Sequence, residues 1–266
     1  MNRILMSLLV LGFAAAGEAN AVVIIGGSVN NGNLDRAHAV QIVPGFFLPK
    51  PDIWQNAGVR SITGPYEDEM SSEPWAGPAP TPVTTDNSLN PPFPDGCGDV
   101  NVDGDCAVFF KAFSGNATDG TATGHLYQDN PGTPGMLYTL TGWAGAEANF
   151  MAGAEFAIDF LDAGNAVIGS AVLDLIAAGL FTPNGEPFNY KEYQVAGVAP
   201  ASTATVRARV SMIDGIANPA GGGQAFVVDD FTLTEETSGT VPEPATLALV
   251  LLGMVGLAQK IRRRHA

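Results

Sequence analysis

The segment Thr203-Ala-Thr-Val-Arg-Ala-Arg-Val-Ser-Met212 carries the clearest structural pattern in the chain. Its apolar and polar residues alternate, with Val206, Ala208, Val210 and Met212 against Arg207, Arg209 and Ser211. Because successive side chains of a strand point to opposite faces, this period of two predicts a β-strand with one buried and one solvent-facing side. The segment Glu155–Leu161 repeats the pattern, with Phe156, Ile158 and Phe160 against Glu155 and Asp159.

Other short apolar runs lie between turn-forming residues along the rest of the chain. They predict strands at Val22–Val29, Ala107–Phe113, Thr123–Gln128, Met136–Trp143, Ala166–Leu175, Tyr190–Val198 and Ala225–Thr234. The 32 glycines and 19 prolines follow no collagen-like period and are typical of strands joined by turns. We therefore predict an all-β fold, a two-sheet antiparallel sandwich or jelly roll.

A proline-rich region interrupts this pattern between about residues 44 and 106. Eleven prolines lie between Pro44 and Pro94, so we expect a long irregular insertion whose interior is not sheet. Trp54, Tyr66 and Trp75 lie in this region and are candidate ligand-binding residues, because apolar sugar faces stack on exposed rings. The alternative is a small satellite core beneath a long loop.

The N-terminus has the features of a secretion signal. Arg3 precedes the apolar run Ile4–Val10, and Ala19 and Ala21 supply the small-x-small pattern that signal peptidase accepts. We predict that residues 1–21 form a signal peptide with a helical apolar segment and that the mature chain begins at Val22.

The C-terminus has a membrane-targeting pattern over residues 241–266. Val241-Pro242-Glu243-Pro244 precedes the run Ala245–Ala258, which is apolar except for Thr246, and a basic stop follows at Lys260, Arg262, Arg263 and Arg264. We predict that the run forms a C-terminal transmembrane helix, although it is short for one, and the positive-inside rule places the basic residues in the cytoplasm.

These three parts, in this order, resemble the PEP-CTERM sorting signal. The resemblance implies recognition by an exosortase-type membrane enzyme. It also implies insertion in the inner membrane before processing, and then a place at the cell surface or in the extracellular matrix. The alternative is a plain tail anchor that follows a Pro-Glu-Pro sequence.

The predicted exported region, residues 22–240, is strongly acidic. It keeps 7 of the 12 Lys and Arg and 25 of the 27 Asp and Glu, a formal net charge of −18. Such a charge excludes nucleic acid as a partner, because phosphates require basic patches. The two cysteines of the chain, Cys97 and Cys106, lie close together in an exported protein and are predicted to form one disulfide.

Three further stretches of this region carry a recognisable pattern: Asn31-Gly-Asn-Leu-Asp35, Pro134-Gly-Met-Leu-Tyr-Thr-Leu140 and Val228-Asp-Asp-Phe231. Together they resemble carbohydrate-binding jelly-roll modules of the galactose-binding-like kind. In such modules, acidic residues of the first and last strands hold a structural Ca²⁺. The resemblance therefore implies Asp35 and Asp230 as metal ligands, and the alternative is that these acidic residues face water at a strand edge.

A second candidate calcium site lies between the cysteines. Asp99, Asn101 and Asp103 alternate with other residues before Gly104, as in the first half of a calcium-binding loop. The twelfth position is Phe110 instead of a bidentate Glu, so a complete EF-hand is not expected. The alternative is an ordinary turn closed by the disulfide.

The sequence offers few catalytic signals. His38 and His125 are the histidines of the exported region, and neither lies in a nucleophile or zinc motif. We therefore expect a non-catalytic surface or matrix protein that binds exopolysaccharide. The alternatives are a secreted polysaccharide-acting hydrolase, since any suitably spaced carboxylate pair can serve one, and a structural coat protein without a ligand.

Overall fold

The computed structural model describes residues 21–44, 46–60, 72–75, 107–110, 120–147, 149–185, 187–216 and 226–237, and it is built from β-strands. The strands in these ranges are β1 Val22–Ile25, β2 Ala37–Val43, β3 Phe46–Pro51, β4 Gln55–Arg60, β5 Ser72–Trp75, β6 Ala107–Phe110, β7 Ala122–Pro131, β8 Met136–Ala146, β9 Gly153–Leu161, β10 Val167–Asp174, β11 Lys191–Val198, β12 Thr205–Gly215 and β13 Phe226–Thr237. The described residues contain no α-helix, and a 3-10 turn at Pro187–Asn189 precedes β11.

The strands form two main antiparallel sheets and a separate ribbon. The first sheet has the order β11-β8-β13-β6-β5, and β1 also pairs with β13. The second sheet has the order β10-β9-β12-β7-β4, and β2 pairs with β3 in the two-stranded ribbon. The predicted all-β fold with two antiparallel sheets is confirmed.

Apolar side chains from both sheets meet in one buried core. On β12, Val206, Ala208, Val210 and Met212 are fully buried, as the alternation of the sequence predicts. Phe156 of β9 contacts Phe231 of β13, with their ring centroids 5.2 Å apart. Burial of these side chains removes apolar surface from water and is the main force that holds the two sheets together.

The expectation that the proline-rich region contains no sheet in its interior was wrong. It contributes β3, β4 and β5, of which β4 pairs with β7 along the second sheet and β5 pairs with β6 in the first. Proline is tolerated in a strand at positions where no backbone N–H is needed to donate a hydrogen bond to a neighbouring strand. β5 is the last strand in the order of the first sheet, and β3 belongs to the two-stranded ribbon.

The predicted signal segment, residues 1–21, lies outside the described residues except for Ala21, and the C-terminal segment, residues 241–266, lies wholly outside them. Within the described ranges, no helix has the length and apolar character needed to cross a membrane.

Candidate functional site

The outward-facing side of the second sheet carries a group of polar side chains, which we call the polar sheet face. Its members come from all five strands of the sheet: Gln55, His125, Tyr127, Asp129, Glu155, Asp159, Ser170, Arg207, Arg209 and Ser211. On β7, β9 and β12 the alternate residues enter the core, so the backbone holds the polar side chains of these strands on a rigid surface.

Strand register brings these residues together from distant parts of the sequence. Ser211 of β12 lies opposite His125 of β7 and also opposite Glu155 of β9. Two positions earlier on β12, Arg209 lies opposite Tyr127. Arg207 lies opposite Asp129 of β7 and Asp159 of β9, so the register places opposite charges within reach of side-chain contact.

Arg209 is the centre of the largest hydrogen-bond network on this face. Its Nε donates to Asp159 Oδ2 at 2.7 Å, and its Nη1 donates to Glu155 Oε1 and to Ser211 Oγ, the latter at 2.7 Å. Ser170 donates to the other carboxylate oxygen of Asp159 at 2.7 Å. One guanidinium group therefore fixes three neighbouring side chains from two strands.

Arg207 forms a second, more exposed group on the same face. It donates from Nε and Nη2 to the two carboxylate oxygens of Asp129, at 2.6 and 2.9 Å. Its guanidinium carbon lies 4.1 Å from the centroid of the Tyr127 ring, a cation-π geometry. The Tyr127 hydroxyl donates to Gln55 Oε1 at 2.9 Å, so the ring is held at both its face and its tip.

The charges of this face shift the pKa values of its members. Burial by itself raises the pKa of Asp159, but hydrogen bonds from Arg209 and Ser170 and the charge of Arg209 lower it overall. Burial lowers the pKa of His125, and the charge of Arg209 lowers it further. At neutral pH, Asp159 is therefore charged and His125 is neutral.

His125, Ser211 and Asp159 of this face are residue types that hydrolysis can use, so their accessibility and pKa values matter. His125 Nδ1 lies 2.7 Å from Ser211 Oγ, but Ser211 is fully buried and its oxygen is already bonded to Arg209, so it is not accessible as a nucleophile. A general acid for glycoside cleavage needs a raised pKa, and that of Asp159 is lowered. What remains on the surface is a set of rigid hydrogen-bonding groups beside an aromatic ring.

Trp54, a predicted sugar-stacking residue, lies in the core. It is 4% exposed, its ring centroid lies 5.2 Å from that of Phe231, and its Nε1 donates to the carbonyl oxygen of Asn31 at 2.9 Å. Its indole ring therefore packs inside the sandwich and does not form the exposed platform expected from the sequence.

The hydrogen bond from Trp54 to Asn31 belongs to a second network. We call this network the opening seam, and its members are Asn31, Gly32, Trp54 and Phe231. Asn31 is fully buried; its Nδ2 donates to the carbonyl oxygens of Arg36 and Asp52, and its Oδ1 accepts from the Arg36 N–H, each at 3.0 Å. Phe231 N–H donates to the Gly32 carbonyl oxygen at 2.7 Å. The Asn-Gly motif found in the sequence thus joins the loop after β1 to β13 and to the loop between β3 and β4.

Asp35 and Asp230, the predicted calcium ligands, lie in the loop after β1 and in β13. Asp230 has φ near +49° at an irregularity of β13 between Asp229 and Thr232, and its N–H donates to Asp229 Oδ1 at 2.8 Å. In the described part of the chain, no group of three or more His, Cys, Asp or Glu side chains is arranged to hold a metal ion. Calcium binding by Asp35 and Asp230 stays a prediction.

Most other predicted site residues lie outside the described residues. These are Ala19, Tyr66, Cys97, Asp99, Asn101, Asp103, Cys106, Val241, Pro242, Glu243, Pro244, Lys260, Arg262, Arg263 and Arg264. Trp75 lies in β5. The disulfide and the second calcium loop therefore stay predictions.

The polar sheet face was not predicted as a site, although the sequence contains a signal for it. Two of the seven basic residues of the exported region lie two positions apart on β12, and Glu155 and Asp159 lie on the outward face of another alternating strand. The sequence does not show that β9 and β12 are neighbours, so the meeting of these charges was not evident.

Comparison with known proteins shows the sorting signal. Residues 240–264 match the model of the PEP-CTERM protein-sorting motif, which confirms the signal that the sequence predicted. This motif indicates an exported protein that is processed at the membrane, and it implies an exosortase as the processing enzyme. No curated protein sequence matches the chain significantly.

The chain is similar to several solved structures at low identity. A cyclase from Fischerella sp. TAU is 13% identical, with 83% of this chain and 100% of that chain covered and a TM-score of 0.47. TmCBM61 in complex with β-1,4-galactotriose is 15% identical, with 68% and 88% covered and a TM-score of 0.35. The enzymatically active domain of bacteriophage CBA120 tailspike protein 4 is 11% identical, with 68% of this chain but 19% of that chain covered and a TM-score of 0.42.

Proposed function

We propose that the exported domain is a non-catalytic binding module of the cell surface and that it holds exopolysaccharide on the polar sheet face. The network around Arg209 is the observation that carries this proposal, because it fixes charged and polar groups in place before a ligand arrives. Groups that are already fixed lose little conformational entropy on binding.

Two further properties of this face support a glycan ligand. The hydroxyls of a sugar both donate and accept hydrogen bonds, and the face presents donors and acceptors side by side. Tyr127 is partly exposed and is held by Arg207 and Gln55, so it offers an oriented ring edge or face to an apolar sugar surface.

We further propose that signal peptidase cleaves after Ala21, that the segment Ala245–Ala258 inserts in the inner membrane, and that the processed protein stays at the cell surface or in the matrix. Each step follows the order of segments in the chain. Mass spectrometry of the protein recovered from the cell surface tests these proposals directly: the expected form begins at Val22 and lacks residues 245–266, and a form with either segment still attached contradicts the corresponding step.

Binding is tested with the processed protein purified from the cell surface. Titration calorimetry with exopolysaccharide from the same cells compares wild type with Tyr127→Ala, and Gln194→Ala is the matched control because it lies exposed on β11 of the other sheet. We expect Tyr127→Ala to raise Kd about tenfold, a loss of about 1.4 kcal/mol, and the control to leave Kd unchanged. Equal Kd values for wild type and Tyr127→Ala contradict binding at this face.

The same preparations separate the alternative functions. An assay for newly formed reducing ends detects hydrolysis, and we expect no release above that of polysaccharide alone. Release that is lost in Glu155→Gln or Asp159→Asn supports the hydrolase alternative instead. Neither binding nor release with any polysaccharide tested supports a structural coat protein.

A further inference from the structure

The polar sheet face contains a chain of hydrogen bonds whose direction can be worked out from its members. Arg209 has donors and no acceptor, so its Nη1–H donates to Ser211 Oγ. The other hydrogen-bond partner of Ser211 Oγ within the described residues is His125 Nδ1, at 2.7 Å. Since Ser211 is fully buried, its single hydroxyl proton has this nitrogen as its acceptor.

An Nδ1 that accepts a proton in a hydrogen bond cannot carry one itself. A neutral imidazole has one protonated nitrogen, so the proton of His125 is on Nε2. Burial and the charge of Arg209 lower the pKa of His125, which is consistent with the neutral ring. Within the described part of the chain, neither His125 Nε2 nor Glu155 Oε2 has a hydrogen-bond partner.

These two residues lie on either side of Ser211 in the sheet. His125 and Glu155 both pair with this residue, from β7 and β9, so their backbones are two strand spacings apart, about 10 Å. Side chains that rise from the same face of the sheet at this separation can contact one sugar unit from two sides. Both residues are partly exposed, so a ligand can reach them.

We infer that Arg209 and Ser211 hold His125 in the tautomer whose Nε2–H is a hydrogen-bond donor. This donor and the Glu155 Oε2 acceptor together bind the hydroxyls of a neutral polysaccharide. This inference rests on the proposed function, because it names the ligand class of the same face.

The charges around His125 decide between a neutral and an acidic glycan. Arg207 and Arg209 face it from β12, Glu155 and Asp159 face it from β9, and its partner on β4 is the uncharged Ala57. The two guanidinium groups of the face are bonded to three carboxylates, those of Asp129, Glu155 and Asp159, which leaves one net negative charge. A uronic acid or sulfated polymer is therefore repelled, in a domain whose formal charge is already −18.

The tautomer is tested by NMR on the processed protein labelled with ¹⁵N-histidine at pH 7.5, with His125→Gln used to assign the signals. We expect the His125 Nδ1 signal in the unprotonated range and the Nε2 signal in the protonated range, and we expect Ser211→Ala to shift both toward averaged values. A proton on Nδ1, or signals unaffected by Ser211→Ala, overturns the inference whether or not any polysaccharide binds.

The ligand class is tested by calorimetry with a neutral polysaccharide and a carboxymethylated form of the same polymer. We expect the neutral polymer to bind at least about tenfold more tightly. We expect His125→Phe to weaken binding of the neutral polymer about three- to tenfold, and His125→Gln, which keeps an N–H donor near the same place, to weaken it less. Equal or tighter binding of the carboxymethylated polymer, or equal effects of the two substitutions, overturns this ligand assignment. If the wild-type protein binds neither polymer, the proposed function itself is contradicted.

Discussion

The opening seam and the polar sheet face are both hydrogen-bond networks that join distant strands, but they differ in what they leave open. In the seam, the side-chain amide of Asn31 is fully buried, and both its nitrogen and its oxygen are bonded to backbone groups. On the sheet face, Glu155 and His125 each have one bonded and one open polar atom within the described residues. Satisfied and buried groups stabilise a fold, whereas open groups at a fixed position are available to a ligand.

This difference predicts that substitutions in the seam mainly reduce stability and that those on the sheet face mainly reduce binding. The largest loss of stability is expected for Phe231→Ala, because this ring contacts both Trp54 and Phe156 at centroid distances of 5.2 Å. We expect the free energy of unfolding to fall by about 3 to 5 kcal/mol in urea titrations. Val172→Ala on exposed β10 is the matched truncation and is expected to change it by less than about 0.5 kcal/mol. If both variants lose a similar amount of unfolding free energy, the view that Phe231 packs as part of the core is contradicted.

A smaller but still large loss is expected for Gly32→Ala. A Cβ at this position would lie 2.5 Å from the Phe231 carbonyl oxygen and 2.7 Å from the Gly26 backbone, and backbone atoms cannot move aside cheaply. We expect a loss of about 2 to 3 kcal/mol by urea unfolding. Gly164→Ala in the β9–β10 hairpin is the control, since its one close neighbour is the Asp162 side chain. If the two substitutions cost the same, the close approach of the loop to β13 is not structurally important.

On the sheet face, Arg209→Met leaves the buried Asp159 carboxylate without its main partner. Arg209 and Asp159 side chains are 15% and 7% exposed, so their pair is better shielded from water than a surface ion pair. We expect the free energy of unfolding to fall by about 1 to 3 kcal/mol. The double variant Arg209→Met, Asp159→Asn is expected to recover part of this loss while binding stays impaired. No recovery in the double variant contradicts the view that an unpaired carboxylate is the cause.

The smallest stability effect is expected from the titration of His125. Its pKa is lowered below 6.5 in the folded protein, so the unfolded chain binds the proton first as the pH decreases. The free energy of unfolding should therefore decrease as the pH falls from about 6.5 toward the folded-state pKa. Urea unfolding of His125→Gln should show a weaker decrease over this window than wild type. Identical pH profiles for the two proteins contradict the lowered pKa.

Strands were predictable from the sequence where apolar and polar side chains alternate, because this alternation reflects which side chains enter the core. β12 and β9 alternate clearly between apolar and polar residues, because one face of each strand lies in the core and the other carries the polar side chains of the sheet face. β4, with the sequence Gln-Asn-Ala-Gly-Val-Arg, has no such alternation and is a strand because β7 supplies its hydrogen-bond partners. Its formation depends on tertiary pairing, which overrides weak local preference.

The site was less predictable than the fold for a related reason. The residue types of the polar sheet face are visible in the sequence, but their meeting depends on register between β7, β12 and β9, which are separated by long stretches of chain. The resemblance to carbohydrate-binding modules was carried in part by the stretch Asn31–Asp35 and pointed to Asp35 as a metal ligand, whereas in the structure Asn31 and Gly32 of this stretch bond the loop after β1 to Arg36 and to Phe231 of β13. A stretch that serves the packing of the fold need not be the place where a ligand binds.

The pairing of β13 has a mechanical consequence for the C-terminal end of the domain. Near its C-terminal end, Glu235 lies between Val22 of β1 and Tyr138 of β8, and the strand ends at Thr237, shortly before the sorting motif at residue 240. Tension applied along the axis of this strand must shear two ladders of backbone hydrogen bonds at once, instead of peeling one bond after another from a free edge. The C-terminal end of β13 therefore resists such tension better than the end of an edge strand would.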